Sequence, residues 1–477
     1  MHTDLFIANE WRKATSGQTL EVMNPATEEI LASIEAAGEA DVDAAVMAAR
    51  DRFDSDEWRR LSARKRGAML YRAGELLAQR AKEVAKLETL QNGKPFFESS
   101  IDIAMTVETL KYYGGWADKL GGNVVPVASG DFVYTDRVPV GVVGAIVPWN
   151  FPLNLASWKV APALAAGCTV VLKPVAETPL TALVLAEIIQ QAGFPPGALN
   201  VIPGRGTTAG VALVKHPGVD KIAFTGSTEV GRQIMRHAAD TMKRVTLELG
   251  GKSPNVIFAD ADLKAAVRGA QNGIFYGKGE VCAAGSRLLV ERSVHDVVVE
   301  QLVARAKKLV PGDPFDENTR LGAIVSRRQH ERVMSYIVAG KSEASLVAGG
   351  NATSVNGKGF FIEATVFDDA KPGMRIVDEE IFGPVLSVIA FDDQDEAIHI
   401  ANQSMYGLAA GIWTKDIQKA FRVARAIRAG TVWVNTYNMY DPAAPFGGFK
   451  QSGYGRELGR EALDGYTETK TVWMGLR

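Results

Sequence analysis

Beyond Gly141 the chain falls into a rhythm in which short apolar runs alternate with longer stretches of helical periodicity. The runs at 141–147, 169–173, 199–202, 221–224 and 245–247 have the length and composition of buried strands. Between them, residues 155–166, 180–192, 207–215 and 228–239 read as helices. Strand-then-helix units joined by short Gly/Pro turns imply right-handed crossovers and a parallel, doubly wound sheet. A second alternation runs from Ser286 to about Asn435. Two α/β units are therefore expected, with a cleft between them where ligands collect.

The flanks follow other patterns. Residues 6–11 and 20–23 read as a short strand meander ended by Asn24-Pro25. Asp41 is placed to cap a helix over 42–49, and helical periodicity returns at 62–90 and 101–119. These helices are assigned packing and no chemistry. Residues 121–138 are strand-like, with turns at Gly121-Gly122 and Ser129-Gly130, and residues 466–473 alternate in a similar way. Two extended pieces outside both large units suit an arm that pairs with another subunit.

Composition narrows the function. A chain of 477 residues exceeds one core. A net charge of −2 with no long basic run argues against nucleic acid and anionic membrane as partners. Only Cys168 and Cys282 occur, which makes neither a disulfide framework nor a cysteine metal cage. The N-terminal residues lack a signal-peptide layout, and the most apolar region, 138–153, is interrupted by Pro139, Pro148, Asn150 and Pro152. A cytoplasmic enzyme without a metal is the expectation.

The candidate chemistry centres on Gly279-Glu280-Val281-Cys282-Ala283-Ala284-Gly285-Ser286-Arg287. A thiolate attacks carbonyls readily, and the small neighbours of Cys282 leave room for a flat electrophile and a cofactor ring. Phe224-Thr225-Gly226-Ser227-Thr228-Glu229-Val230-Gly231 is a strand end, a turn and a helix start, where backbone N–H groups and the Ser227 hydroxyl suit a pyrophosphate. Glu248-Leu249-Gly250-Gly251-Lys252 sets a carboxylate after a strand, where an apolar cleft would make it a general base. In Pro148-Trp149-Asn150-Phe151-Pro152 the Asn150 amide is suited to stabilise an oxyanion together with the Cys282 N–H.

These motifs, together with Leu172-Lys173-Pro174, Glu380-Ile381-Phe382-Gly383-Pro384 and Pro445-Phe446-Gly447-Gly448-Phe449-Lys450, occur in the order seen in the NAD(P)-dependent aldehyde dehydrogenase superfamily, which the chain resembles over essentially its whole length. The resemblance implies two doubly wound α/β domains plus a small β oligomerisation arm. A Rossmann-like cofactor domain would span 1–118 and 139–248, a catalytic domain 249–448, and the arm 119–138 and 464–477. It implies that Cys282 forms a thiohemiacetal, that Asn150 holds the oxyanion, and that Glu248 activates water against the thioester. Lys159 and Glu457 match positions that relay protons from that base; a surface ion pair is the competing reading. NAD(P)+ would lie along Ile146, Pro148, Trp149, Lys173, Ala176, Arg205, Gly206, Gly226, Ser227 and Val230, with Glu380 on the nicotinamide ribose and Phe382 beside the nicotinamide. Phe151, Leu155, Trp158, Tyr276, Tyr440 and Phe446 would line a substrate tunnel free of charge, suited to aliphatic or aromatic aldehydes. A homodimer or homotetramer is implied.

Departures from the family pattern matter. Ala176 stands where many NAD-preferring relatives have glutamate, with Glu177 one place later. Losing that carboxylate leaves room for a 2′-phosphate, with Lys173 and Arg205 at hand, so NADP+ is expected to be accepted. Lys278 and Glu280 stand where amides are common. A surface position is expected for Lys278, and a Glu280 near the site would oppose thiolate formation. The alternatives are a semialdehyde or amino-aldehyde dehydrogenase, a CoA-acylating enzyme (against which Glu248 argues), or an inactive protein that keeps the fold.

Overall fold

The computed structural model describes residues 2–476; Met1 and Arg477, the outer ends of the expected cofactor unit and arm, lie outside the described residues. Strands Val142–Ile146, Thr169–Lys173, Leu199–Val201, Lys221–Thr225 and Arg244–Glu248 form the parallel centre of a first sheet. Numbered along the chain, their spatial order is 3-2-1-4-5, a doubly wound arrangement. Alternate side chains serve opposite cores. Val143, Ala145 and Ala223 pack beneath the helices Pro152–Ala166 and Leu180–Gln191, whereas Val142, Ile222 and Phe224 enter the core on the other face.

Short strands extend this sheet beyond the expected rhythm. Leu5–Ile7 pairs antiparallel with both Glu10–Arg12 and Leu199–Val201, so the start of the meander is a sheet edge. Thr19–Asn24 forms a separate hairpin with Glu29–Glu35. Gly453–Tyr454 covers the other edge, antiparallel to Arg244–Glu248.

The second sheet begins at Pro254–Ile257, well before Ser286. Proline as the first residue of a strand is tolerated but masks the pattern. Its spatial order is Ser345–Ala348, Thr365–Asp368, Val385–Phe391, Arg287–Glu291, Pro254–Ile257, Ala409–Trp413, Thr431–Val434, with only the first pair antiparallel. A three-stranded antiparallel sheet of Thr467–Met474, Phe132–Pro139 and Val124–Val125 stands apart and exposes Val124, Phe132 and Trp473. Among the described residues no helix is long and apolar enough to cross a membrane.

Three local expectations change. The first long helix is Glu39–Asp54, capped at Gly38; Asp41 lies inside it and accepts the Gly38 N–H at 2.9 Å and the Thr15 hydroxyl at 2.6 Å. The periodicity at 62–90 is two helices, Ala63–Gln79 and Ala81–Asn92, broken at Arg80. The helix expected at 207–215 opens as a wide π turn, Gly206–Gly210, before Val211–Lys215.

The cleft follows from connectivity. The chain leaves the first sheet at Glu248 and enters the second at Pro254. Carboxyl ends of the first sheet's strands thus meet amino ends of the second's. Cys282 precedes Arg287–Glu291, and Glu380 precedes Val385–Phe391. Both reach the cleft from the second sheet.

Candidate active site

Three successive left-handed residues, Gly277 (φ 58°), Lys278 (62°) and Gly279 (70°), turn the chain from helix Leu263–Phe275 into Cys282. Glycine is required at 279, since a Cβ there would lie 2.1 Å from the Gly383 carbonyl oxygen. Cys282 is partly exposed to a cavity. Burial first, then the carboxylates Glu248 and Glu380, push its thiol up to about 12, while the N–H groups of Ala283 and Cys282 oppose the shift. The small residues that follow serve packing more than access. Tyr437 donates its hydroxyl to the Ala283 carbonyl at 2.9 Å, and a Cβ on Gly285 would meet its ring at 3.0 Å.

Asn150, at the head of the wholly buried helix Pro152–Ala166, donates its side-chain amide to the Glu280 carbonyl at 2.9 Å. One amide N–H is thereby fixed and the other is left for a ligand. Glu248 is buried at its strand end; one carboxylate oxygen has no hydrogen-bond partner. Its pKa is held well above the usual carboxylate range by burial and then by Glu457, against Lys159 and Arg456. Lys159 forms an ion pair with Glu457 and donates to the Thr225 hydroxyl at 2.7 Å. That pair is not at the surface: Lys159 is 0% and Glu457 3% exposed. Thr225 is the register partner of Glu248, which brings the pair beneath the base.

The neighbours of Cys282 differ from expectation. Lys278 is 1% exposed and stands 2.8 Å from the equally buried Glu280. The charges that most raise the Cys282 thiol are Glu248 and Glu380, while Lys278 and Glu280 are occupied with each other.

Phe151, Leu155, Trp158, Tyr276, Tyr440 and Phe446 line one cavity of about 570 Å³ that reaches Cys282. Trp158, Tyr440 and Phe446 meet one another edge-on or tilted, with centroids 5.5–6.3 Å apart. This wall is not free of charge. Helix Phe96–Trp116 contributes Phe97, Glu98, Ile101, Asp102 and Met105, and Arg320 stands at the same cavity. Burial raises Glu98 to about 7 and Asp102 to about 6; Asp102 is paired with Lys94 at 2.5 Å. One Glu98 oxygen accepts the Gly277 N–H at 3.1 Å and the other has no partner. Two acidic residues four apart, on one face of the helix where like charges repel, were the available signal.

On the opposite side, Ser227 caps helix Thr228–Ala239, accepting the Val230 N–H at 3.3 Å, with Gly226 in the turn before it. This helix start lies at the carboxyl edge of the first sheet, as do Ile146 and Pro148. Trp149 and Phe382 meet edge to face at 5.2 Å. Glu380 accepts the Gly251 N–H at 2.9 Å, and burial lifts it to about 7. Lys173 is buried, lowered to about 8, and donates to the Pro174 carbonyl at 3.1 Å. Gly210 lies along its stem, while Arg205 and Gly206 are exposed on the wide turn. Ala176 is packed at the Leu180 cluster, and the Glu177 charge reaches Lys173. A carboxylate therefore remains nearby despite Ala176.

The residues fit a dinucleotide: a capped helix start, a buried lysine and a desolvated glutamate line the first sheet's carboxyl edge and the cleft. Comparison with known proteins agrees. The family model described as "Aldehyde dehydrogenase family" matches residues 11–472. Retinal dehydrogenase 2 of Mus musculus is 48% identical over 475 residues, 99% of this chain and 91% of that protein. The NAD+ complex structure of aldehyde dehydrogenase from Bacillus cereus superposes with a TM-score of 0.98 at 49% identity, covering 100% of this chain and 97% of that one. The P. syringae AldA indole-3-acetaldehyde dehydrogenase in complex with NAD+ and IAA gives 0.98 at 48% identity, with the same coverage.

Proposed function

Since this chain belongs to the aldehyde dehydrogenase family, and so oxidises aldehydes to carboxylic acids with NAD(P)+, we propose how its own residues divide that work. Cys282 Sγ, its proton released to solvent at the cleft, attacks the aldehyde carbon as the thiolate, forming a C–S bond as the C=O π pair moves to oxygen. The free Asn150 amide N–H and the Cys282 N–H receive that oxyanion. When bound, NAD(P)+ would supply the hydride acceptor through which the adduct on Cys282 becomes a thioester. Glu248, ionised by passing its proton to the Lys159–Glu457 pair, takes one from water; the water oxygen attacks the thioester carbon, the C–S bond breaks with its electron pair returning to sulfur, and the acid leaves.

The dinucleotide would be held by Ser227 and Gly226 at its phosphates, by Trp149, Glu380 and Phe382 at the nicotinamide end, and by Lys173 at the adenosine ribose, with Ile146, Pro148 and Val230 alongside. Ala176 and Arg205 support acceptance of NADP+, whereas the charge of Glu177 supports NAD+ as the better coenzyme. The protein acts in the cytoplasm as a homodimer or homotetramer built through the exposed arm.

The aromatic wall around Cys282 carries the substrate reading: an apolar aliphatic or aromatic aldehyde. One observation favours a second substrate class, the amino-aldehydes. Glu98, with one oxygen unpartnered, would welcome a cationic tail, whereas Asp102 is already paired with Lys94 and Arg320 at the same cavity acts in the opposite sense. A panel of apolar, amino- and carboxy-aldehydes, assayed as NAD(P)H absorbance with and without CoA, tests this. Highest kcat/KM on apolar aldehydes, with free acid formed without CoA, is expected; preference for a semialdehyde or dependence on CoA would overturn it.

A further inference from the structure

Behind the nucleophile loop lies a buried ion pair that takes no part in the bond changes above. The Lys278 ammonium stands 2.8 Å from Glu280 Oε2 and donates to the Asn92 carbonyl at 2.9 Å and the Asn92 side-chain oxygen at 2.8 Å. Asn92 in turn donates its amide to the Trp149 carbonyl at 2.7 Å. Glu280 accepts the Val325 N–H through Oε1 at 3.1 Å, and its backbone carbonyl accepts Asn150 Nδ2 at 2.9 Å. Residues 149–150 are thus tied to residues 278–282 by two routes, one through Asn92 and one through the Glu280 backbone. Lys278 also holds a φ of 62°, which a lysine keeps only where its surroundings fix it.

Building on the mechanism proposed above, we infer that the Lys278–Glu280 pair is a positioning element that keeps the Asn150 amide and the Cys282 loop in the mutual register oxyanion stabilisation requires. The argument rests on the asymmetry of buried pairs: removing one partner strands a desolvated charge, while removing both does not. Burial already holds Glu280 above its ordinary range, with Lys278 as the chief opposing charge and Lys94 behind it. Burial lowers Lys278, opposed by Glu280 and Glu98 and reinforced by Lys94. Asp102, whose own titration feels Lys278, is occupied by Lys94.

Opposite pH responses follow for the two single variants. In Lys278→Gln, Glu280 loses its cation and sits comfortably only when protonated, so kcat falls as pH rises. In Glu280→Gln, Lys278 loses its anion and sits comfortably only as the neutral amine, so kcat falls as pH falls. The double variant K278Q/E280Q carries two amides able to reach Asn92 and Val325 and no charge, so its profile returns toward that of the unmodified protein.

The experiment is kcat, KM and coenzyme dissociation constant for all four proteins across the neutral range. At the unfavourable end of each single variant's range, kcat is expected to drop about 100-fold, the scale of a misplaced reacting group. Coenzyme affinity should change far less than kcat, because only Trp149 among the residues proposed to hold the dinucleotide lies on the Asn92 route. Parallel or absent pH slopes, or a double variant as impaired as the singles, would overturn the inference. Should a single variant fail to fold, recovery of kcat by the double variant supports the pair and its failure refutes it. Absence of NADH formation by the unmodified protein would count against the mechanism alone. The pair is then judged by Cys282 alkylation rates relative to that protein, where the same opposed slopes are expected.

Discussion

At Cys282 the unliganded protein holds a thiol, not a thiolate, because desolvation and two carboxylates raise its pKa to about 12. Iodoacetamide reacts with the thiolate. Labelling of Cys282 should therefore be slow at neutral pH and accelerate with each step toward pH 12. Glu248→Gln removes the largest charge acting on the sulfur, so that variant should label faster at equal pH; an unchanged rate would deny the coupling. Cys168 is fully buried with a thiol raised to about 11, so a peptide-level mass measurement separates the two sites. The proposed role of Glu248 also predicts the pH profile of turnover. As a base it works ionised, and its pKa is raised, so steady-state turnover should fall as pH drops through that pKa. Glu248→Gln should lose about 100-fold or more and flatten the profile. The candidate nucleophile, amide and base were legible because each stands in a glycine- or proline-marked motif. The burial of Lys278 and Glu280 was not, because it depends on Asn92 and Val325, distant in sequence.

Among the elements, the left-handed turn before Cys282 has the least tolerance. Gly279→Ala would combine φ 70° with a Cβ 2.1 Å from the Gly383 carbonyl. A loss of about 1–3 kcal/mol or more in urea unfolding is expected, with reduced kcat; a native midpoint with native kcat would contradict this. Helix Phe96–Trp116 shows where periodicity misleads. Its apolar pattern is satisfied by core contacts of Ile103, Val107 and Leu110, which hides that Glu98, Ile101 and Asp102 face the cavity. Glu98→Leu should lower kcat/KM for amino-aldehydes about tenfold relative to apolar aldehydes, as expected when a polar partner is removed from a pocket. An unchanged ratio would take Glu98 out of substrate selection.

For the whole molecule, the two-unit plan was legible because buried parallel strands leave apolar runs and helices leave periodicity. The edge strand Gly453–Tyr454 was not, since two residues carry no pattern. Nor was the meeting of carboxyl ends with amino ends, which arises from contacts far apart in sequence. The arm was legible as alternation at both ends. Thr467–Met474 pairs residue by residue with Phe132–Pro139, so truncation after Tyr466 removes the outer strand and should abolish the proposed arm-built oligomer. Light scattering would show a smaller particle; an unchanged mass would place the interface elsewhere. The proposed nucleophile is one sulfur at the cleft, and the most direct measurement is a single turnover of Glu248→Gln with aldehyde and NAD+, followed by peptide mass spectrometry. One equivalent of NADH per subunit with the acyl mass on the Cys282 peptide is the predicted result; NADH without that adduct, or undiminished turnover by Cys282→Ala, would contradict the account.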